Sequence, residues 1–527
     1  MTALLCARGL QVHLAGRAEP LLGPLDLNVD TDDFSALVGE SGSGKSLTAL
    51  ALIGLLPAGL SARGELHFDG HVIVLGSREH IALRGRHLAW MPQDPLASLH
   101  PLRRVGDQLC ESLRVLRGLD GAAAKREALH LFAQLELPEP AECFRRYPHQ
   151  LSGGQRQRIG LALALAGEPA LLIADEPTSA LDPRLAHEML ALLERLRRER
   201  GLALLLISHD LPLVGQYARQ VTILQRGRSV EHGETRAVFA APAADYTRTL
   251  LAADHLPEAV AGERGEKILQ VDALQIRYRR STQPAVKEAQ LQLHRGECLA
   301  LVGESGSGKS SLGRALLRLL RDGVSGRILI DGEDLLQATR PRLRALRRRI
   351  GVVFQDPYAS LDPRQRIAEI VAEPLRIHEN LSAAARRARA AALLAQVGLN
   401  EDCLDRYPHQ FSGGQRQRIA IARALACAPE LLVCDEAVSA LDAQHRAEIL
   451  ALLSRLKRER GLAMLFITHD LGAARALAER IAVMDRGEIV EQGPCAQVLA
   501  APAHAATRAL LGPEAVRGPG YPRPGIC

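Results

Sequence analysis

Gly39-Glu40-Ser41-Gly42-Ser43-Gly44-Lys45-Ser46 recurs letter for letter as Gly303-Glu304-Ser305-Gly306-Ser307-Gly308-Lys309-Ser310. Both octets fit the pattern G-x-x-x-x-G-K-[ST]. In such a loop the backbone N–H groups turn inward on phosphate oxygens, the lysine neutralises the terminal phosphates, and the last hydroxyl can ligate Mg²⁺. Context separates such a loop from a chance Gly-rich turn. Each copy follows an apolar stretch that reads as a strand, Ser35 to Val38 and Cys298 to Val302. Each precedes a stretch that reads as a helix, Ser46 to Leu56 (stopped by Pro57) and Ser310 to Leu320.

The rest of the chain repeats with the loops. Lys309 lies 264 positions beyond Lys45, and Ser412, Asp435 and His469 each lie 260 beyond Ser152, Asp175 and His209. A repeat of this size divides the 527 residues into halves that can each bury a core. Residues 1–251 form the first expected domain and residues 267–511 the second. The polar segment 252–266, with Pro257 and two glycines, reads as the linker. The tail 512–527 carries four prolines and reads as poorly ordered.

Composition narrows the class. The hydrophobic fraction of 47% and charged fraction of 24% exclude a largely disordered chain. No run approaches the ~18 to 20 apolar residues needed to span a bilayer, and the start MTALLCARGL has no signal-like apolar core. A cytosolic chain that meets membranes only through partners is expected. Nine cysteines without CxxC or zinc spacing read as reduced, buried small hydrophobes, with Cys527 the exception. The net charge of +6 is small for this length, so Arg347-Arg348-Arg349 reads as a solvated helix face and no nucleic-acid partner is expected.

Further motifs supply the chemistry of phosphate transfer. Leu171-Leu172-Ile173-Ala174-Asp175-Glu176 and Leu431-Leu432-Val433-Cys434-Asp435-Glu436 are apolar runs ending in two carboxylates. A buried parallel strand ending in acid presents it where ligands bind in open α/β sheets. Asp175 and Asp435 are the candidates for the Mg²⁺ shell; Glu176 and Glu436 are the candidate general bases for water. Gln93 and Gln355 each stand two residues before a proline, which places them in loops. From there a neutral amide can reach both Mg²⁺ and the attacking water. His209 and His469 each follow an apolar strand, Ala203 to Ile207 and Ala463 to Ile467, and lie 34 residues beyond the aspartate. That position favours hydrogen bonding to the terminal phosphate over a purely structural role.

At Leu151-Ser152-Gly153-Gly154-Gln155 and Phe411-Ser412-Gly413-Gly414-Gln415 the order of motifs becomes specific. Alone, each is a good helix start with a serine N-cap. Together with Ser179-Ala180-Leu181-Asp182 and Ser439-Ala440-Leu441-Asp442, the set resembles the ABC ATPases over nearly the whole chain. The resemblance implies an α/β fold with two tandem P-loop domains, each a RecA-like core with an antiparallel β subdomain and an α-helical subdomain. It implies ATP and Mg²⁺ as cofactors. It also implies head-to-tail pairing, in which Lys45, Ser46, Asp175, Glu176 and His209 work with Ser412, Gly413, Gly414 and Gln415. Lys309, Ser310, Asp435, Glu436 and His469 would then work with Ser152, Gly153, Gly154 and Gln155.

Subfamily features lie outside the catalytic motifs. Gln93-Asp94-Pro95-Leu96-Ala97-Ser98-Leu99, Gln355-Asp356-Pro357-Tyr358-Ala359-Ser360-Leu361, Arg146-Tyr147-Pro148-His149-Gln150 and Arg406-Tyr407-Pro408-His409-Gln410 resemble importers of dipeptides, oligopeptides and nickel. The fusion of two domains is similar to the ATPase of microcin C-type peptide importers. The partners this implies are two permease subunits and, through them, a periplasmic binding protein, with the chain on the cytoplasmic face of a bacterial inner membrane. Fused sugar or nickel importers are alternatives, as are tandem ABC proteins acting on ribosomes; the latter usually carry a long charged linker. DNA-repair ATPases would need zinc modules or a long coiled coil. Three departures stand out. Tyr278, the expected adenine-stacking residue, is matched by Leu14 in the first half; Pro177-Thr178 is matched by Ala437-Val438; and no C-terminal cysteine cluster for an iron–sulfur centre is present.

Overall fold

The computed structural model describes residues 3–179, 181, 183–254, 258–259, 265–279, 283–320, 322–438 and 441–511. They form two compact units, the first ending at Asp254. In the first, the strands Phe34–Val38, Leu171–Asp175 and Ala203–Ser208 are buried at every residue, as apolar runs in a covered parallel sheet should be. They belong to a six-stranded sheet in the order Arg228–Glu234, Gln220–Gln225, Phe34–Val38, Ala203–Ser208, Leu171–Asp175, Leu88–Met91. All neighbours are parallel except the edge hairpin Gln220–Gln225/Arg228–Glu234. The second unit repeats this order with Glu488–Pro494, Arg480–Asp485, Cys298–Val302, Ala463–Ile467, Leu431–Asp435 and Ile350–Val353.

Successive side chains of a strand point to opposite faces, so each strand feeds two cores. Leu37, Ile173, Leu205 and Ile207 pack with the loop helix Lys45–Leu52 and a four-stranded antiparallel sheet built from Ala3–Leu14, Leu22–Asp30, Leu60–Phe68 and His71–Ile73. Ala36, Val38, Leu172, Leu204 and Leu206 face the other way, onto a helical layer that includes Val105–Arg117, Gly121–Gln134 and Gly153–Leu165. Cys298, Ala300 and Val302 against Leu299 and Leu301 repeat the division in the second unit. The parallel core, antiparallel sheet and helical layer expected of the fold are therefore all present, twice.

The helix after each loop is shorter than its composition suggests. Lys45–Leu52 stops because Gly54 turns left-handed at φ 66° and the Leu55 N–H caps the Leu50 carbonyl at 2.8 Å. Lys309–Leu316 ends the same way, with Arg318 at φ 53° and the Leu319 N–H on the Arg314 carbonyl at 2.9 Å. The edge hairpins turn at Arg226-Gly227 and Arg486-Gly487 with both residues of each pair at positive φ.

Arg347 and Arg348 are exposed, as a solvated helix face should be, but all three guanidinium groups of the triplet are engaged. Arg347 donates to the carbonyls of Leu317 and Arg318, Arg348 pairs with Glu379, and Arg349 pairs with Glu430 and Asp331. Of the segment 252–266, residues 252–254 complete the helix Asp245–Asp254, while the Ala259 N–H donates to the Arg475 carbonyl at 2.9 Å. The tail 512–527, with Cys527, lies outside the described residues. The other eight cysteines are free thiols, five of them buried. Among the described residues no helix is long and apolar enough to cross a membrane.

Candidate functional site

The Gly-rich loop sits between the strand end Val38 and the helix Lys45–Leu52, and close approach forces its first glycine. A Cβ at Gly39 would stand 2.2 Å from the Leu224 carbonyl oxygen, and one at Gly303 2.1 Å from that of Met484. Gly44 and Gly308, the helix N-caps, lie at φ 107° and 110°, backbone that L side chains rarely adopt. Lys45 is buried and spans the loop, its Nζ donating to the carbonyls of Gly39 (2.7 Å) and Glu40 (2.9 Å). Lys309 does the same with Gly303 (2.7 Å) and Glu304 (2.8 Å). The hairpin turns brace the loops from outside: Gly227 N–H donates to the Ser43 carbonyl at 2.8 Å, and Gly487 N–H to that of Ser307 at 2.9 Å.

Asp175 ends its strand beside the loop. Burial pushes its carboxyl up to about 6, against the opposing effects of the Ser46 hydroxyl bonded to it and of nearby Lys45. Asp435 is raised too, again chiefly by burial. In both, Oδ1 is buried with no hydrogen-bond partner among the described residues. Leaving a buried carboxylate oxygen unpaired is costly, so the site is built for a further partner. Carboxylate, serine hydroxyl and glutamine amide are hard oxygen donors suited to Mg²⁺. No group of three or more His, Cys, Asp or Glu that could hold a metal by itself occurs among the described residues.

The next residue collects the remaining motifs. Glu176 Oε2 accepts from Gln93 Nε2 at 2.7 Å, and Oε1 lies 3.2 Å from His209 Nδ1. Glu436 repeats this with Gln355 Nε2 at 2.7 Å and His469 Nδ1 at 3.5 Å. In each unit a glutamine and a histidine, both more than thirty positions from the glutamate in sequence, thus converge on its carboxylate. Both glutamates hold positive φ, 47° and 49°, and their N–H groups bond the Ile207 and Ile467 carbonyls of the neighbouring strand at 2.8 Å.

The signature segments cap helices of the helical layer. Ser152 Oγ accepts from Gln155 N–H at 3.3 Å while Gln155 Oε1 accepts from Ser152 N–H at 3.1 Å; Ser412 and Gln415 form the same reciprocal pair. Gly153 and Gly413 have open space where a Cβ would point. The copies differ one residue on: a Cβ on Gly154 makes ordinary contacts, whereas one on Gly414 would meet His445 Cδ2 at 2.5 Å.

Tyr278 is 41% exposed and its hydroxyl lies 3.0 Å from Ser311 Oγ, one residue past the loop's Ser310. In the first unit the matching residues are Leu14 and Leu47, so both members of the pair are apolar there. The sequence reading missed this partner, and it missed Tyr246, whose hydroxyl accepts the Glu40 N–H of the first loop at 3.1 Å. The matching position in the second unit is Ala506.

A profile of the ABC transporter family matches residues 22–179 and 286–439. The glutathione import ATP-binding protein GsiA of Pectobacterium atrosepticum is 41% identical over 558 aligned positions, covering 97% of this chain and 89% of that protein. The uncharacterized ABC transporter ATP-binding protein YejF of Escherichia coli is 42% identical over 507 positions, covering 93% of this chain and 95% of that protein.

Proposed function

This chain belongs to the ABC transporter family, and from that premise we propose that it binds and hydrolyses ATP to power the import of peptides or peptide-like compounds. The observation that carries the reading is the duplicated cluster in which Gln93, Glu176 and His209, or Gln355, Glu436 and His469, meet beside a phosphate loop and an unpaired aspartate oxygen. The cargo class rests on full-length likeness to glutathione import ATP-binding proteins.

In this reading the loop amides and Lys45 or Lys309 bind the phosphates, once the lysine exchanges its loop carbonyls for phosphate oxygens. Asp175 with Ser46 and Gln93, and Asp435 with Ser310 and Gln355, would hold Mg²⁺, which would supply positive charge against that of the phosphates. Glu176 and Glu436 accept the proton of the attacking water, and the glutamine amide and histidine imidazole keep that carboxylate oriented. His209 and His469 turn from the carboxylate to the terminal phosphate when ATP is bound. Tyr278 stacks on adenine in the second site. Ser152 to Gln155 and Ser412 to Gln415 each complete the ATP site of the other unit, so that ATP closes a head-to-tail pair and hydrolysis releases it. The chain works with two membrane permease subunits on the cytoplasmic face of the inner membrane, and a periplasmic binding protein supplies the cargo.

The test is transport in vesicles holding this chain with two permease subunits and a periplasmic binding protein, with ATP supplied on the side of this chain. Uptake of glutathione or short peptides should require ATP and should stop when Glu176 and Glu436 are both replaced by Gln. Uptake that survives this double change would overturn the mechanism. Uptake of sugar or nickel instead would overturn the cargo.

A further inference from the structure

The two units carry one cluster of opposite character. In the second unit Arg366 is the N-cap of the helix Ile367–His378, and Arg387 lies in the first turns of the helix Ala383–Gln396. Asp405 bridges them, accepting from Arg366 Nη1 at 3.1 Å and from Arg387 at 3.0 and 2.7 Å. The first unit has the same frame: Arg104 is the N-cap of Val105–Arg117, and Lys125 holds the place of Arg387 in Gly121–Gln134. The loop that supplies the bridge also docks identically. Val105 N–H and Gly106 N–H bond the Arg146 and Phe144 carbonyls, as Ile367 N–H and Ala368 N–H bond those of Arg406 and Leu404. Between those two carbonyls, however, the bridging aspartate is replaced by Arg145.

The result is a pocket of about 780 Å³ lined by five basic side chains, Arg103, Arg104, Arg114, Lys125 and Arg145, and by two acidic ones, Asp107 and Glu111. Glu111 is engaged by Arg103 at 2.5 Å. Among the described residues no hydrogen bond or ion pair involves the side chains of Arg104, Arg114, Lys125 or Arg145. With Glu111 engaged by Arg103, Asp107 is left against four cations, so the lining carries an excess of positive charge that a bound anion would offset. The pocket floor adds an apolar surface: Phe144, whose ring centre is 5.9 Å from Lys125 Nζ, with Leu129 and Cys110.

We propose that this pocket of the first unit binds a phosphate-bearing ligand, whose oxygens take the bridging place that Asp405 fills within the second unit. A phosphate fits better than a carboxylate because a third and fourth cation, Arg145 and Arg114, face the space that one carboxylate serves in the other copy. The chemistry is shared by a soluble phosphate compound and by the headgroup of an anionic phospholipid.

The experiment uses the full chain with a non-hydrolysable ATP analogue filling the nucleotide sites, so that added phosphate cannot enter the Gly-rich loops. Inorganic phosphate is titrated by phosphorus NMR, and vesicles of phosphatidylglycerol or phosphatidylcholine are tested by flotation. Saturable binding should weaken by about tenfold or more in Arg145→Asp, which installs the second unit's bridge, and should persist in Arg145→Lys. Asp405→Arg, at an exposed site, should create a second binding equivalent. Phosphate binding that depends on Arg145 assigns the soluble source; flotation with phosphatidylglycerol alone that depends on Arg145 assigns the lipid. Absence of both, or binding unchanged in Arg145→Asp, overturns the proposal.

Discussion

Exchanging one pair of residues between the two units should exchange their nucleotide affinities. Tyr278 and Leu14 are exposed almost equally, at 41% and 40%, so the swap changes little burial. What differs is an aromatic face and its anchor, the 3.0 Å contact from the Tyr278 hydroxyl to Ser311 Oγ. Stacking of a base on an aromatic ring is worth about 1–3 kcal/mol. A half-exposed hydrogen bond that holds the ring in place contributes on the order of 0.5–1 kcal/mol. Since the ring is also wetted when nucleotide is absent, about 1.5–2 kcal/mol of net difference is expected, or roughly 10- to 30-fold in Kd. The double change Leu14→Tyr with Leu47→Ser should therefore tighten the first site by that factor. Leu14→Tyr alone should do less, because Leu47 offers no partner for the hydroxyl. Tyr278→Leu should loosen the second site correspondingly. The assay is a fluorescent-ATP titration in which Lys309→Ala or Lys45→Ala silences one site so that the other is read alone. If the double change and Tyr278→Leu both leave Kd within about twofold, the ring makes no adenine contact and the reasoning fails.

Three other outcomes can be checked. Glu176→Gln with Glu436→Gln should lower ATP turnover by about a hundredfold or more while ATP stays bound, and near-normal turnover in the purified complex would remove both residues as bases. Gly154→Ala should leave thermal stability nearly unchanged, whereas Gly414→Ala must displace His445, whose ring is held by Asp442 at 2.7 Å, and should cost about 1–2 kcal/mol in the second unit; equal melting shifts would contradict this. Glu430 accepts from Arg349 at 2.6 and 2.9 Å and from Arg295 at 2.6 Å, which holds its carboxyl down at about 2. Because the folded value lies below the unfolded one, this stabilisation is present above the ordinary carboxylate range and is lost as pH falls toward about 2. Discounted for partial exposure, Glu430→Gln should cost about 1–2 kcal/mol at neutral pH by urea unfolding, with the difference vanishing in acid. A pH-independent difference would mean that packing, not charge, is lost.

The chain announces its parallel sheet because runs such as Leu171 to Ala174 and Ala203 to Ile207 are apolar without alternation, as burial on two faces demands. The phosphate loop, acidic pairs, glutamines and histidines were legible for a related reason: each is fixed by local backbone, at a strand end or helix start. What was hidden depends on approach between distant segments. Nothing near Arg349 in sequence points to Glu430, Arg295 and Asp331, so the ion pairs of its largely exposed triplet could not be read. Ser311 and Tyr246 are ordinary helix residues until folding carries a tyrosine hydroxyl to one loop's helix and to the other loop's amide. The end of the first loop helix was misplaced because Pro57 looked like the stop, while left-handed Gly54 had already turned the chain.

The left-handed backbone of Glu176 and Glu436 sets folding against use at those two positions. A residue with a Cβ held there costs on the order of 1 kcal/mol relative to glycine. Glu176→Gly should therefore raise the melting temperature of the first unit even as it removes the carboxylate that Gln93 and His209 share. A selection for stability alone would drift these positions toward glycine or asparagine, and only a selection that requires turnover would return glutamate.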